Sequence, residues 1–372
     1  MSENLIPALD ATPIPGPMWL FHVLLVFTFF LHALFMNLAL GGTLLAAFGQ
    51  LAAGGKGSDH RVTLAQRLMG VNTFAISMAI TTGVAPLLFV QILFQQYFYT
   101  ATILIAWVWL FFLVMLMIGY YAAYLYKYRG APARGDGGTG WLIVSAVMFL
   151  LIAMVHVAVN LIHSQPDKWS LFADNPWAVL ADPVYFPRLL HFVLAAVGFT
   201  GLVGAWWAVR QAKSGKDVQL NTDIARFAWK WVLWSTVLQV VDGFVLLLVL
   251  PQPVLLGLMR GGAATMIPLT LSILLGIGLL MMMARTSNPV EKPGLVNGTL
   301  GAMVLTIAVM SITRHQVRGL YLEPIASRFE PATAPQWGNF VLFALLLVAG
   351  LATVGYMVRR VLNSPATGDE AA

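Results

Sequence analysis

Residues 140–164 read GWLIVSAVMFLLIAMVHVAVNLIHS, 25 residues without Asp, Glu, Lys or Arg. A helix needs about 20 mostly apolar residues to cross the hydrocarbon core of a bilayer, so this stretch reads as a transmembrane helix. Eight more windows qualify on the same ground: 18–50, 66–95, 98–128, 186–210, 224–250, 264–285, 295–313 and 338–360. The 372-residue chain is 59% hydrophobic and only 10% charged, where a soluble domain carries roughly 25% charged residues. Its mean hydropathy is +0.81. The spacing predicts an all-α polytopic membrane protein of about nine transmembrane helices joined by short polar or Gly/Pro-rich connections. The expected layout is an outer N-terminal segment 1–17, one nine-helix transmembrane domain over 18–360, and a cytoplasmic tail 361–372. The opening MSENLIPALDATPIPGP has acidic residues and no basic n-region, and the apolar run behind it is too long for a signal peptide. The first helix is therefore expected to be an uncleaved anchor.

The net charge of +6 comes from basic residues lying between the apolar runs. They read as topology signals, not as a nucleic-acid face. With the N-terminus outside, the inner side collects Lys56, Arg61, Arg67, Lys127, Arg129, Arg134, Arg210, Lys213, Lys216, Arg226, Lys230, Arg285, Lys292, Arg359 and Arg360, 15 of the 21 basic residues. The outer side keeps Lys168, Arg188, Arg260, Arg314, Arg318 and Arg328. That bias predicts an N-out, C-in protein, multi-pass in a bacterial inner membrane. The chain has no cysteine, which excludes disulfides, thiolate metal sites, iron–sulfur clusters and covalent c-type haem.

Six of the seven histidines, His22, His32, His156, His163, His191 and His315, fall in or at the ends of the apolar windows. An ionisable ring in a bilayer is costly and marks a functional-site hypothesis, and neutral imidazole is a ligand for haem iron. His22, His156, His163, His191 and His315 are expected within about 10–12 Å of the outer boundary, with His32 near mid-membrane and His60 in an inner loop. His156 and His163 share a helix face about 10 Å apart, whereas His22 and His32 point about 80° away from each other. His163 and His315 also read as wetted residues at helix ends. Any one of these rings also reads as an interhelical hydrogen-bond donor. A zinc or copper site is a further reading, without the carboxylate or thiolate ligands that usually accompany one. The residues themselves therefore point to at least one haem.

Arg188 precedes His191 by one helical turn, where a guanidinium pairs well with a haem propionate. Asp242 is the one carboxylate inside a window. It reads as a proton-relay group, a partner for an arginine, or a neutral acid bonded to a neighbouring helix. Trp107, Trp109, Trp141, Trp206, Trp207 and Trp337 read mostly as interface anchors. The run Met281–Met283 reads as packing, and Gly276 and Gly278 as places where helix backbones approach closely.

Several segments resemble subunit I of cytochrome bd quinol oxidase: HALFMNLALGG from His32, GVNTFAISMAITTGVAPLLF from Gly70, FFLVMLMIG over 111–119, DPVYFPRLLHFVLAAVGFTGLVGAWW with His191, and ILLGIGLL from Ile273. The likeness runs over about residues 28 to 285. It implies two four-helix groups plus a peripheral helix, a high-spin haem on His32 and a low-spin haem b on His191. The family's carboxylates on the second and third helices fall at Leu87 and Val114, its haem-ligating methionine at Leu274, and its long quinol loop shrinks to PQPVLLGLMRGGA. Those departures speak against oxygen reduction. They favour an electron-transfer subunit of a membrane redox complex, part of a quinol-oxidising oxidoreductase, carrying one or two b-type haems with His191 and His32, where resemblance and depth agree, as leading iron ligands. Its electrons would go to a periplasmic c-type cytochrome or other redox partner on a separate chain. A diverged terminal quinol oxidase and a cofactor-free scaffold are the alternatives. His315 is an expected partner for His191, and His22 or His32 for His156 or His163.

Overall fold

In a bilayer every backbone amide must be satisfied within the protein, so long apolar runs close into helices. A computed structural model describes residues 12–54, 59–129, 138–326 and 331–363. The topology residues Lys56, Arg134 and Arg328, and most of the two expected terminal segments (1–11 and 364–372), lie outside the described residues. The chain runs through α1 (Met18–Ala52), α2 (His60–Leu93), α3 (Gln95–Leu104), α4 (Ala106–Arg129), α5 (Thr139–Ser164), α6 (Trp169–Asp174), α7 (Tyr185–Lys213), α8 (Val218–Val249), α9 (Gln252–Arg260), α10 (Ala263–Met283), α11 (Pro293–Ala326) and α12 (Trp337–Leu362). Among the described residues, nine of these helices are long and apolar enough to cross a membrane; α3, α6 and α9 are not. The protein is an all-α, multi-pass membrane protein.

Three boundaries differ from the sequence expectation. The window 98–128 breaks at Ile105, where φ −119° and ψ 38° leave the helical region, so α3 is a separate short helix before α4. His60 opens α2 instead of lying in a loop, because Asp59 caps that helix: its carboxylate accepts from the Arg61 amide at 2.8 Å and the Arg61 guanidinium at 2.6 and 2.9 Å. The third boundary is α11, which continues well past residue 313 to Ala326. Arg314, His315 and Arg318 end the hydropathy window, but a helix needs only its backbone bonds, and these side chains are taken up by the protein. Arg318 is buried, and His315 and Arg314 are half-buried. His163 is buried as well, so neither His163 nor His315 is the wetted end residue the sequence suggested. The longer helices also take in Asp223 and Glu323 near their ends.

The described residues divide into two units. In the larger, residues 22–326, α7 lies along α8, α10 packs on α11 and α8, α11 reaches α7, and α4 packs on α5 and α2. α1 is bound to α7 through Thr200 Oγ1, which donates to the Asn37 carbonyl at 3.0 Å, and to α2 through Asn72 Nδ2 and the Ala39 carbonyl at 3.1 Å. A Cβ at Gly41 would run into the backbone of Ala196. This is the close helix approach that the sequence reading assigned to Gly276 and Gly278. A Cβ at Gly278 would meet nothing within 4 Å, and one at Gly276 would make ordinary contact with Val240 at 3.6 Å. Met283 is fully buried in the core as expected of packing, while Met281 is exposed.

In the smaller unit, residues 12–21 and 331–363, Ile14 pairs in parallel with Thr333. The Ile14 amide donates to the Ala332 carbonyl, and the Ala334 amide donates to the Ile14 carbonyl, each at 2.8 Å. Phe21 meets Phe340 edge-on, centroids 6.2 Å apart. None of the apolar window of α12 is buried.

Candidate cofactor site

His191 lies six residues into α7, and Asp242 seven residues before the end of α8. The two helices are antiparallel neighbours, so these positions share a depth, and His191 Nδ1 comes 3.2 Å from Asp242 Oδ2. Asp242 is 6% exposed. One turn before it, Gln239 Nε2 lies 3.4 Å from His191 Nε2. Beyond the ring opens a cavity of about 250 Å³, walled mainly by apolar side chains of α1, α7, α8, α10 and α11. His191 is the one histidine among the residues that line it.

Arg188, Arg314 and Arg318 line the same cavity, with Asn160 and Ser164 from the end of α5. Among the described residues, no Asp or Glu lines it. Arg188 Nη1 donates to Asn160 Oδ1 at 2.7 Å. Arg314 lies over the Phe29 ring at 4.2 Å and Arg318 over Phe94 at 5.2 Å. The three cations are within electrostatic range of one another. Asp182, within range of Arg188, already accepts from Lys168 at 2.8 Å. Asp182 lies outside the spans. Burial opposes its ionisation, but the Lys168 ammonium and the Val184 amide outweigh that and hold the carboxyl below its usual range. Arg318 Nε and Nη1 are buried without a hydrogen-bond partner among the described residues. Burying a cation without its partner costs several kcal/mol, roughly 3–5 when one member of a buried pair is removed. Together the three give an apolar cavity a surplus of positive charge.

The remaining histidines have different surroundings. His22 Nδ1 and His315 Nε2 lie 3.1 Å apart, so α1 and α11 join at that point. Phe94 stands edge-on to His22, His163 and His315, with centroids 6.1, 5.5 and 6.4 Å away. His315 thus meets His22, and not His191, the partner the sequence suggested. His32 Nδ1 lies 2.9 Å from the Ala79 carbonyl, and a Cβ at Gly83 would come within 2.8 Å of its ring. His156 bonds the Ile152 carbonyl of its own helix at 2.9 Å and packs against Phe112 and Trp109. Its side chain is exposed, yet it lies within electrostatic range of His32 and Arg314. Among the described residues no group of three or more His, Cys, Asp or Glu can hold a metal ion.

Sequence reasoning named His191, Arg188 and Asp242 but did not join Asp242 to His191. It read Arg314 and Arg318 only as topology charges, although their four-residue spacing on a helix places both on one face. It passed over Gln239, and the thioethers Met36, Met303 and Met310 that line the cavity. Leu274 is exposed and off the cavity wall.

No family model matches the chain, and no curated protein does. A solved chain of the bd oxidase from Geobacillus thermodenitrificans has the same architecture: the TM-score is 0.76 at 14% identity, over 95% of this chain and 100% of that one. At that identity the likeness is one of fold, and it makes this chain a multi-pass membrane protein built on the fold of a bd oxidase chain.

Proposed function

We propose that the chain is a haem b-carrying electron-transfer subunit of a membrane redox complex. In this reading it takes electrons from a quinol, releases protons on the outer side, and passes the electrons to a periplasmic c-type cytochrome or another redox partner. The observation that supports it above others is the one cavity lined by His191 and by three arginines without a carboxylate. The donor set fits a haem: an imidazole for the iron, apolar walls for the macrocycle, and guanidiniums for the propionates. The unpartnered Arg318 nitrogens are the donors such a carboxylate would satisfy. A bound haem supplies a one-electron carrier whose potential the axial ligands and surroundings set.

His191 is the residue that would hold the iron. Arg314, Arg318 and Arg188, the last steadied by Asn160, would pair with its propionates. Met303 and Met310 of α11 are thioethers on the same wall that would also serve iron, as Leu274 could not. A haem held from both sides by this chain would favour electron transfer over oxygen chemistry. The quinol donor is carried over from the sequence resemblance to cytochrome bd quinol oxidase. The 15 basic residues assigned to one side support the N-out, C-in orientation, and the bacterial inner membrane is carried over from the resemblance to cytochrome bd quinol oxidase.

A diverged terminal oxidase is the second reading. The fold neighbour is an oxidase, and His156 lies within electrostatic range of His32, which makes a second pair of imidazoles apart from His191. A reduced-minus-oxidised spectrum with pyridine haemochrome quantification, followed by carbon monoxide, separates the readings. Haem b without a carbon monoxide shift is the expected result. A shift selects the oxidase, and the absence of haem leaves a scaffold and overturns the proposal.

A further inference from the structure

We infer that Asp242 is the positioning residue of this site: its carboxylate accepts the Nδ1–H of His191, fixes the tautomer, and makes Nε2 a stronger donor to iron. The inference rests on the reading of His191 as a haem ligand and names how this chain tunes that ligand. Three observations carry it. His191 Nδ1 and Asp242 Oδ2 lie 3.2 Å apart, and the carboxylate stands behind the ring, off the cavity wall. Gln239 Nε2 lies 3.4 Å from the other ring nitrogen, and an amide N–H there donates to Nε2, which requires the ring proton on Nδ1. Both neighbours therefore select one tautomer, with the lone pair of Nε2 on the Gln239 side. Gln239 lines the cavity, and its long contact is the one a haem would displace. Finally, the residue after Asp242 is Gly243, where even a Cβ would lie 3.5 Å from His191 Cε1. The acid is thus delivered beside the ring without crowding it.

A ligating histidine whose second nitrogen is bonded to a carboxylate is held in orientation and is more basic. An anion behind the ligand favours the ferric over the ferrous state, so it holds the potential down. Loss of such a partner typically weakens metal affinity 10–100-fold. The test is a potentiometric titration of the haem in the purified full-length protein with its partners, comparing wild type, Asp242→Asn and Asp242→Glu. Asp242→Asn is expected to keep haem bound but raise its midpoint potential by at least a tenfold change in redox equilibrium, about 59 mV for one electron. Asp242→Glu is expected to bring the potential back toward that of wild type. An acid that merely packed α7 on α8 would lower stability or haem content without raising the potential. If Asp242→Asn does not accumulate, Asp242→Ser removes the charge with a smaller side chain and is read the same way. A neutral variant with haem at the wild-type potential overturns the role of Asp242 and leaves the haem reading intact. A wild-type protein without haem overturns both.

Discussion

His191 and His315 are the same side chain on helices that touch, and their surroundings are opposite. His191 has a buried carboxylate behind one nitrogen and a cavity before it. His315 turns one nitrogen to His22, packs beside Phe94, and does not line the cavity. One region combines a tuned imidazole, free volume and surplus positive charge. The other is a closed knot of rings that ties α1 to α11. An intramembrane histidine is thus a ligand candidate by what stands behind and before its ring, and depth alone does not distinguish the two cases.

The strongest way to break this contrast is to delete each ring. His191→Ala is expected to abolish the low-spin haem b signal, while His315→Ala leaves the spectrum in place and lowers stability by about 1–2 kcal/mol. Equal loss of haem from both variants, measured by pyridine haemochrome, would make the two regions one site. Removing the surplus charge sharpens the cavity side. Arg314→Ala or Arg318→Ala each removes a charge-assisted bond worth about 2 kcal/mol, so haem should leave roughly thirtyfold faster when transferred to an acceptor protein. Unchanged haem loss combined with a raised melting temperature would mean that the arginines answer to no anion.

A further variant tests His32, which belongs to neither region. Gly83→Ala forces a methyl within 2.8 Å of the His32 ring, and overpacking of this kind costs about 1–3 kcal/mol. The expected result is a lower melting temperature with the His191 haem spectrum unchanged. The smallest effect lies at Asp59, at the start of α2. Its bond to Arg61 holds the carboxyl down at about 2, so its contribution is fully present above the ordinary carboxylate value near 3.9 and is lost as pH falls through about 2. Asp59→Ala should cost about 1 kcal/mol at neutral pH as a lost helix cap. It should also flatten the stability profile below pH 4 in circular-dichroism melts.

The spanning helices were legible because about 20 apolar residues in a row admit few other structures. The end of α11 was not, because hydropathy averages charge along a sequence while the helix sorts it by face. Arg314 and Arg318 turn their charge to the protein interior, and the backbone continues unbroken. His191 was found from its motif and depth. Its partnership with Asp242 spans 51 residues and depends on the angular setting of two helices, which a sequence does not state. Matching depths on antiparallel neighbours would have suggested it. Gln239 and the lining methionines carried no signal of their own, since glutamine and methionine are ordinary residues of helix interfaces.

The parallel pairing of Ile14 with Thr333 is a clasp made of main chain. The Ile14 amide donates to Ala332, and the Ala334 and Gln336 amides donate to Ile14 and Pro15. No side chain takes part in these bonds, so the clasp is indifferent to most substitutions along it. Proline is the exception: at position 14 or 334 it would strike out a donor and unfasten two segments that lie near opposite ends of the sequence.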